Sequence, residues 1–167
     1  MPGTVDLFMK YRNPVFIETG TWVGDGVLRA LGAGFEEVHS VELNEPQATQ
    51  AMTRWKGNPR VHIVKGDSPA FLSTVLRQIN RPATLWLDAH MDTCDDPCPI
   101  MKELNEINNF FQCVETVLID DMRLMRPRQS KIIEMLQAVQ AKFWIGFEED
   151  DSGVQKDILV ATRRGPR

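Results

Sequence analysis

Short β-rich apolar runs alternate with stretches of helical spacing along most of this chain, and that alternation limits its folds to very few. The runs are Val15–Glu18, Val38–Leu43, Val61–Val64, Thr84–Asp88 and Thr116–Asp120. Between them, apolar residues recur at helical intervals: Val27, Leu28, Leu31; Ala48, Ala51, Met52, Trp55; Phe71, Leu72, Val75, Leu76, Ile79; Ile100, Leu104, Ile107, Phe111. A fifth helix carries Ile132, Ile133, Leu136 and Val139. Asn44–Pro46, Ser68-Pro69 and Asp96-Pro97 each set a capping residue near a proline suited to a first helical turn. Gly32 and Gly34 are placed to close the first helix.

Strand–helix alternation means parallel strands joined by right-handed crossovers, with helices on both faces. VFIE, VHIV and VLID read as nearly continuous apolar segments, as strands buried on both faces should. The end of the chain breaks the rhythm. Phe143–Phe147 and Ile158–Ala161 are separated only by EEDDSGVQKD, too short for a crossover helix, so they pair as an antiparallel hairpin. The expectation is a Rossmann-like α/β single domain over residues 1–167 with a seven-stranded sheet in the order 3-2-1-4-5-7-6, strand 7 antiparallel.

Composition excludes several classes. At 167 residues with 43% apolar and 25% charged residues, the chain can bury a proper core and does not read as disordered. No apolar run is long enough to span a membrane, and MPGTVDLFMK has no apolar signal-peptide core. The net charge of −4 argues against a general nucleic-acid binder, and the basic tail of Arg163, Arg164 and Arg167 reads as a solvated terminus. Three cysteines cannot all pair, which suggests reduced thiols and a cytoplasmic setting.

In open α/β sheets, ligands bind beyond the carboxyl ends of the strands. Strand 1 ends in Glu18-Thr-Gly20-Thr21-Trp22-Val-Gly24-Asp25-Gly26, glycine-rich but without the G-x-G-x-x-G spacing of a dinucleotide fingerprint. Glu42 ends strand 2, 22 residues after Gly20, where a carboxylate can accept hydrogen bonds from both hydroxyls of a ribose. Strand 3 ends in Gly66-Asp67-Ser68, where Asp67 either meets an adenine amino group or caps the next helix. Asp88 ends strand 4, and Asp120 with Asp121 ends strand 5. Three carboxylates at one edge repel unless a cation sits among them, and an all-oxygen set suits Mg²⁺. His90 is the natural general base for a hydroxyl acceptor, whereas His39 and His62 lie inside strand runs and read as packing residues. Zinc held by His90, Cys94 and Cys98 is a weaker alternative, because the second ligand pair is missing.

These motifs together resemble the class I S-adenosylmethionine-dependent methyltransferases, from Val15 to about Arg163. E-T-G-T-W-V-G is similar to the glycine motif of the metal-dependent O-methyltransferases of catechol type, V-E-L-N to the ribose-binding motif, and K-G-D-S to the adenine-contact motif. W-L-D-A-H, C-P-I-M-K-E-L and L-I-D-D resemble the branch acting on antibiotic sugars, such as the macrocin and aminocoumarin-sugar enzymes. The resemblance implies S-adenosylmethionine over Glu18, Gly20, Thr21, Trp22, Gly24 and Asp25, with Glu42, Asp67, Ser68 and Asp88 completing its site. It also implies Mg²⁺ on Asp88, Asp120 and Asp121, and Mg²⁺-assisted O-methylation of a small hydroxylated, sugar-like acceptor with Asp88 and His90 as catalytic residues. Two features depart from the pattern. The catechol-type lysine three residues after the strand-4 Asp is Met91 here, and only about 14 residues precede strand 1. The acceptor pocket is then open, is completed by a second subunit in a homodimer, or belongs to a pared-down chain. A non-catalytic methyltransferase-like module and, more weakly, an NAD-dependent oxidoreductase are the alternatives.

Overall fold

Alternate residues of the central strands divide between two apolar cores, one on each face of a single sheet. The computed structural model describes residues 3–89, 98–139, 143–149 and 153–163. Its strands are β1 (Val15–Thr19), β2 (Glu37–Glu42), β3 (Val61–Lys65), β4 (Ala83–Leu87), β5 (Val114–Ile119), β6 (Trp144–Glu148) and β7 (Ile158–Thr162). They pair in the order β3-β2-β1-β4-β5-β7-β6. β1 to β5 are parallel, and β7 runs antiparallel to both β5 and β6. The expected topology, including the reversed strand, is what the chain adopts.

The helices are α1 (Val5–Lys10), α2 (Asp25–Gly32), α3 (Glu45–Arg54), α4 (Ser68–Gln78), α5 (Ile100–Asn109) and α6 (Gln129–Val139). Phe16, Trp86, Leu118 and Val160 face one way and pack with Phe8 of α1 and Val27 and Ala30 of α2. Ile17, Leu85, Leu87, Val117, Ile119 and Leu159 face the other, against Leu72 of α4, Leu104 of α5 and Leu136 of α6. The two-residue period of a strand produces this division, and burial of both faces explains the apolar runs. Part of the punctuation works locally as read; Ser68 is instead the first residue of α4, preceded by an Asp67 that makes no side-chain capping bond, and Asp96-Pro97 lies outside the described residues. Asn44 caps α3 by accepting the Gln47 amide at 3.3 Å, and Gly34, just beyond α2, takes φ +86°.

Three features differ from the sequence reading. β3 is not buried on both faces: it is an edge strand, with Val61 and Ile63 half-buried and His62 and Val64 exposed. The expected strand order already sets strand 3 at an edge, and that position outweighs the apolar reading of VHIV. α1 carries no sequence signal, because six residues are too few to show a helical period. It is capped by Thr4, whose hydroxyl accepts the Leu7 amide at 3.1 Å, and its Phe8 ring lies 4.9 Å from Phe16 and 5.1 Å from Trp86. Arg163 is not a merely solvated tail residue, since its guanidinium donates to the Phe111 carbonyl at 2.7 Å and its amide to the Glu115 carbonyl at 3.0 Å.

Candidate functional site

The carboxyl ends of β1, β2, β4 and β5 converge on a turn that glycine alone can make. Gly20 and Gly24 both take φ +85°. A β-carbon at Gly20 would collide with the Asp88 carbonyl, and one at Gly24 would lie 2.6 Å from Trp55 Nε1. The turn hangs on β2, whose Val41 carbonyl accepts the amides of Gly20 (2.9 Å) and Thr21 (3.1 Å). Beneath it runs a buried polar chain. The Thr21 and Ser40 hydroxyls bond at 2.5 Å, and Ser40 Oγ donates to Glu18 Oε2 at 2.6 Å. Burial raises the Glu18 pKa to about 8, with lesser contributions from Glu42 and Asp25, so this carboxyl is mainly protonated at neutral pH. Thr21 therefore serves the turn from inside. Trp22 points out, with 55% of its surface exposed and φ +47°, a conformation that costs a bulky residue energy.

Glu42 lies at the end of β2, where the ribose-binding acid is expected, and its two oxygens already organise backbone. Oε2 accepts the Trp22 amide at 2.7 Å and Oε1 the Asn44 amide at 2.8 Å. Each oxygen keeps a second lone pair for a ligand hydroxyl. Asp67 precedes α4 but makes no capping hydrogen bond with its side chain, which is exposed, while Ser68 is buried. Asp25 opens α2 and pairs at 2.7 Å with Arg54, which also donates to the Val23 carbonyl at 2.9 Å.

Asp88, Asp120 and Asp121 come together: each offers a carboxylate oxygen, and these atoms lie within 4.8 Å of one another. Register explains it. Leu87 of β4 pairs with Ile119 of β5, so the residues that follow are neighbours. Burial first, then the charges of Asp120, Asp121 and Glu18, push the Asp88 pKa well above the carboxylate range. Asp120 is buried, its Oδ1 accepting the Asp121 amide at 2.8 Å, and Asp121 takes φ +52°. A charge partner that the motifs did not reveal closes the group. Arg123 reaches Asp121 Oδ1 at 2.5 Å, and its guanidinium pairs with Asp157, a buried residue in the loop before β7 whose Oδ1 also accepts the Arg123 amide at 2.8 Å. Only the closing hairpin brings Asp157 near residue 123, and no local spacing announces that.

His90 lies outside the described residues, as do Met91 and Cys94. Cys98 is disulfide-bonded and Cys113 is free. The expectation of reduced thiols therefore fails at Cys98, and a bridged sulfur has no thiolate to offer zinc. His39 and His62 are not ordinary packing residues either. Their rings stack at 4.9 Å on a partly exposed surface next to Glu37.

No family model matches this chain, and no curated protein matches it in sequence. Solved structures do match in fold. An O-methyltransferase from Bacillus cereus in complex with SAH aligns with TM-score 0.65 at 17% identity, over 95% of this chain and 78% of that one. The 23S rRNA methyltransferase ErmE aligns with TM-score 0.67 at 14% identity, over 97% of this chain and 68% of that one. The SAH-bound Podospora anserina methyltransferase PaMTH1 gives 0.64 at 10% identity, over 96% and 76% of the two chains.

Proposed function

From the premise that this chain has the class I S-adenosylmethionine-dependent methyltransferase fold, we propose that it transfers a methyl group from S-adenosylmethionine to a hydroxyl of a small, sugar-like acceptor with the help of Mg²⁺. The observation that carries the reading is the Asp88, Asp120 and Asp121 cluster, set beside the glycine turn at the same sheet edge. The likeness to the O-methyltransferase from Bacillus cereus supports the reaction class. The net charge of −4 and the acidic edge favour a small acceptor over RNA.

Each residue then has a task. Gly20 and Gly24 let the backbone approach the donor, Glu42 accepts its ribose hydroxyls, and Asp67 with Ser68 meets the adenine. Trp22 walls the pocket. Methyl transfer is an in-line displacement, so most of the protein's contribution is alignment of the acceptor oxygen with the methyl carbon, reactants held about 3–3.5 Å apart. The oxygen donors of Asp88, Asp120 and Asp121 fit a hard divalent ion, and Arg123 pairs with Asp121 beside them. Mg²⁺ bound there would supply Lewis acidity that lowers the pKa of a hydroxyl. His90 takes the acceptor proton.

Calorimetry with S-adenosylmethionine and with NAD, with and without Mg²⁺, tests the donor. Transfer of labelled methyl to a panel of catechols and sugars tests the reaction. Binding of NAD but not of S-adenosylmethionine would overturn the assignment, and binding with no transfer to any acceptor would favour the non-catalytic module.

A further inference from the structure

A second cluster of ligating side chains lies at the opposite end of the sheet. Glu37 and His39 are two residues apart on β2, and His39 is in register with His62 on the neighbouring β3. Val38, between the first two, points into the core shared with α1 and α2, so strand alternation sends Glu37 and His39 to the other face. On β3, Val61 and Ile63 pack toward that same core, which places His62 beside His39. Glu37 begins β2 and Glu42 ends it, so this cluster is separated from the glycine turn by roughly 10 Å or more along the strand, at ~3.3 Å per residue, and by a change of face.

We propose that Glu37, His39 and His62 form a binding site for a divalent transition metal of the zinc class, one that clasps the edge strand β3 to β2. The donor atoms are already gathered. Glu37 Oε1 lies 2.8 Å from His39 Nε2 and 3.9 Å from His62 Nε2, and all three donors fall within 4.8 Å of one another. Bonds of ~2.0–2.1 Å in a tetrahedron put ligand atoms about 3.3 Å apart, so the observed separations bracket what the ion needs and call for small rotations only. Two imidazoles with one carboxylate select zinc, cobalt, nickel or copper over Mg²⁺ or Ca²⁺. The rings are nearly parallel, 27° between planes, and both turn their Nε2 atoms to the same carboxylate oxygen.

The surroundings support the assignment. Arg81 lies 3.7 Å from Glu37 Oε2 and also pairs with Glu36, which leaves Oε1 as the oxygen facing the rings. The His62 side chain is 50% exposed and leaves an entry path and room for water as the fourth ligand. A cross-strand ion would also hold an edge strand that has a partner on one side alone.

The test titrates the purified protein with Co²⁺ and then Zn²⁺, each alone in Mg²⁺-free buffer near neutral pH. Co²⁺ is expected at Glu37, His39 and His62 besides any taken up by the Asp88, Asp120 and Asp121 cluster, with d–d absorption, no thiolate charge-transfer band, and displacement by Zn²⁺. The His39 and His62 ring signals should shift together in NMR spectra, and Zn²⁺ should raise the melting temperature. His62→Ala and Glu37→Gln should each weaken binding at least 10-fold, whereas Asp88→Asn leaves it unchanged. His62 is exposed enough for its variant to fold, and circular dichroism without metal checks this. Failure to bind either ion overturns the proposal. So does an affinity in His62→Ala or Glu37→Gln equal to that of the unsubstituted protein, loss of this binding in Asp88→Asn, or a thiolate band.

Discussion

The carboxylate of Glu18 occupies the space where a β-carbon of residue 26 would stand, so Gly26, a helical residue of α2, has its side-chain position filled by another residue. Two opposing magnitudes meet there. Alanine is favoured over glycine in a helix by about 0.8–1 kcal/mol. Overpacking a full site costs about 1–3 kcal/mol, and here it also displaces a buried carboxyl from Ser40.

Gly26→Ala should therefore destabilise the protein despite its helix propensity. Denaturant unfolding of Gly26→Ala, Glu18→Ala and the double variant would show it. The cost of Gly26→Ala should largely vanish when Glu18 is already Ala.

Glu18 also links stability to pH. Its folded pKa of about 8 lies above the unfolded 4.5, so the native state binds the extra proton between those values. The stability this contributes is whole below pH 4.5, declines as pH rises, and is lost above about pH 8. Glu18→Gln, which mimics the protonated carboxyl, should remove this decline. Unfolding free energies of both proteins at pH 5, 7 and 9 check it, and parallel profiles would show Glu18 to be ionised throughout.

Glu42→Ala should weaken S-adenosylmethionine binding by about 1–3 kcal/mol, since it removes the ligand acceptor and leaves the Trp22 and Asn44 amides without their partner. Trp22 fluorescence should change as its turn loosens. Calorimetry gives the affinity, and an unchanged value would put the ribose elsewhere.

Mg²⁺ should raise the melting temperature if it binds only the folded cluster, and Asp120→Asn should reduce both that shift and methyl transfer. The same substitution should stabilise the Mg²⁺-free protein, because it removes one of the charges that raise the Asp88 pKa. Differential scanning calorimetry across a Mg²⁺ series separates the two effects. His90→Ala should leave donor binding intact and lower turnover roughly 10²–10⁴-fold.

By itself, the sequence determined the architecture and the sheet edge where the candidate site residues gather. Strand–helix alternation, the short EEDDSGVQKD link and prolines in first helical turns are local signals, and each acts within a few residues of where it is written. Glycine spacing and acids at strand ends marked Gly20, Glu42, Asp88 and Asp120 for the same reason: strand ends are local, and parallel strands bring like ends together. Tertiary structure alone decided the rest. That Arg123 meets Asp157 across 34 positions, that Glu18 fills the space at Gly26, and that His62 stacks on His39 all depend on register between segments far apart in the chain. Register follows from the packing of both faces at once, a collective property of the folded sheet that no local pattern encodes.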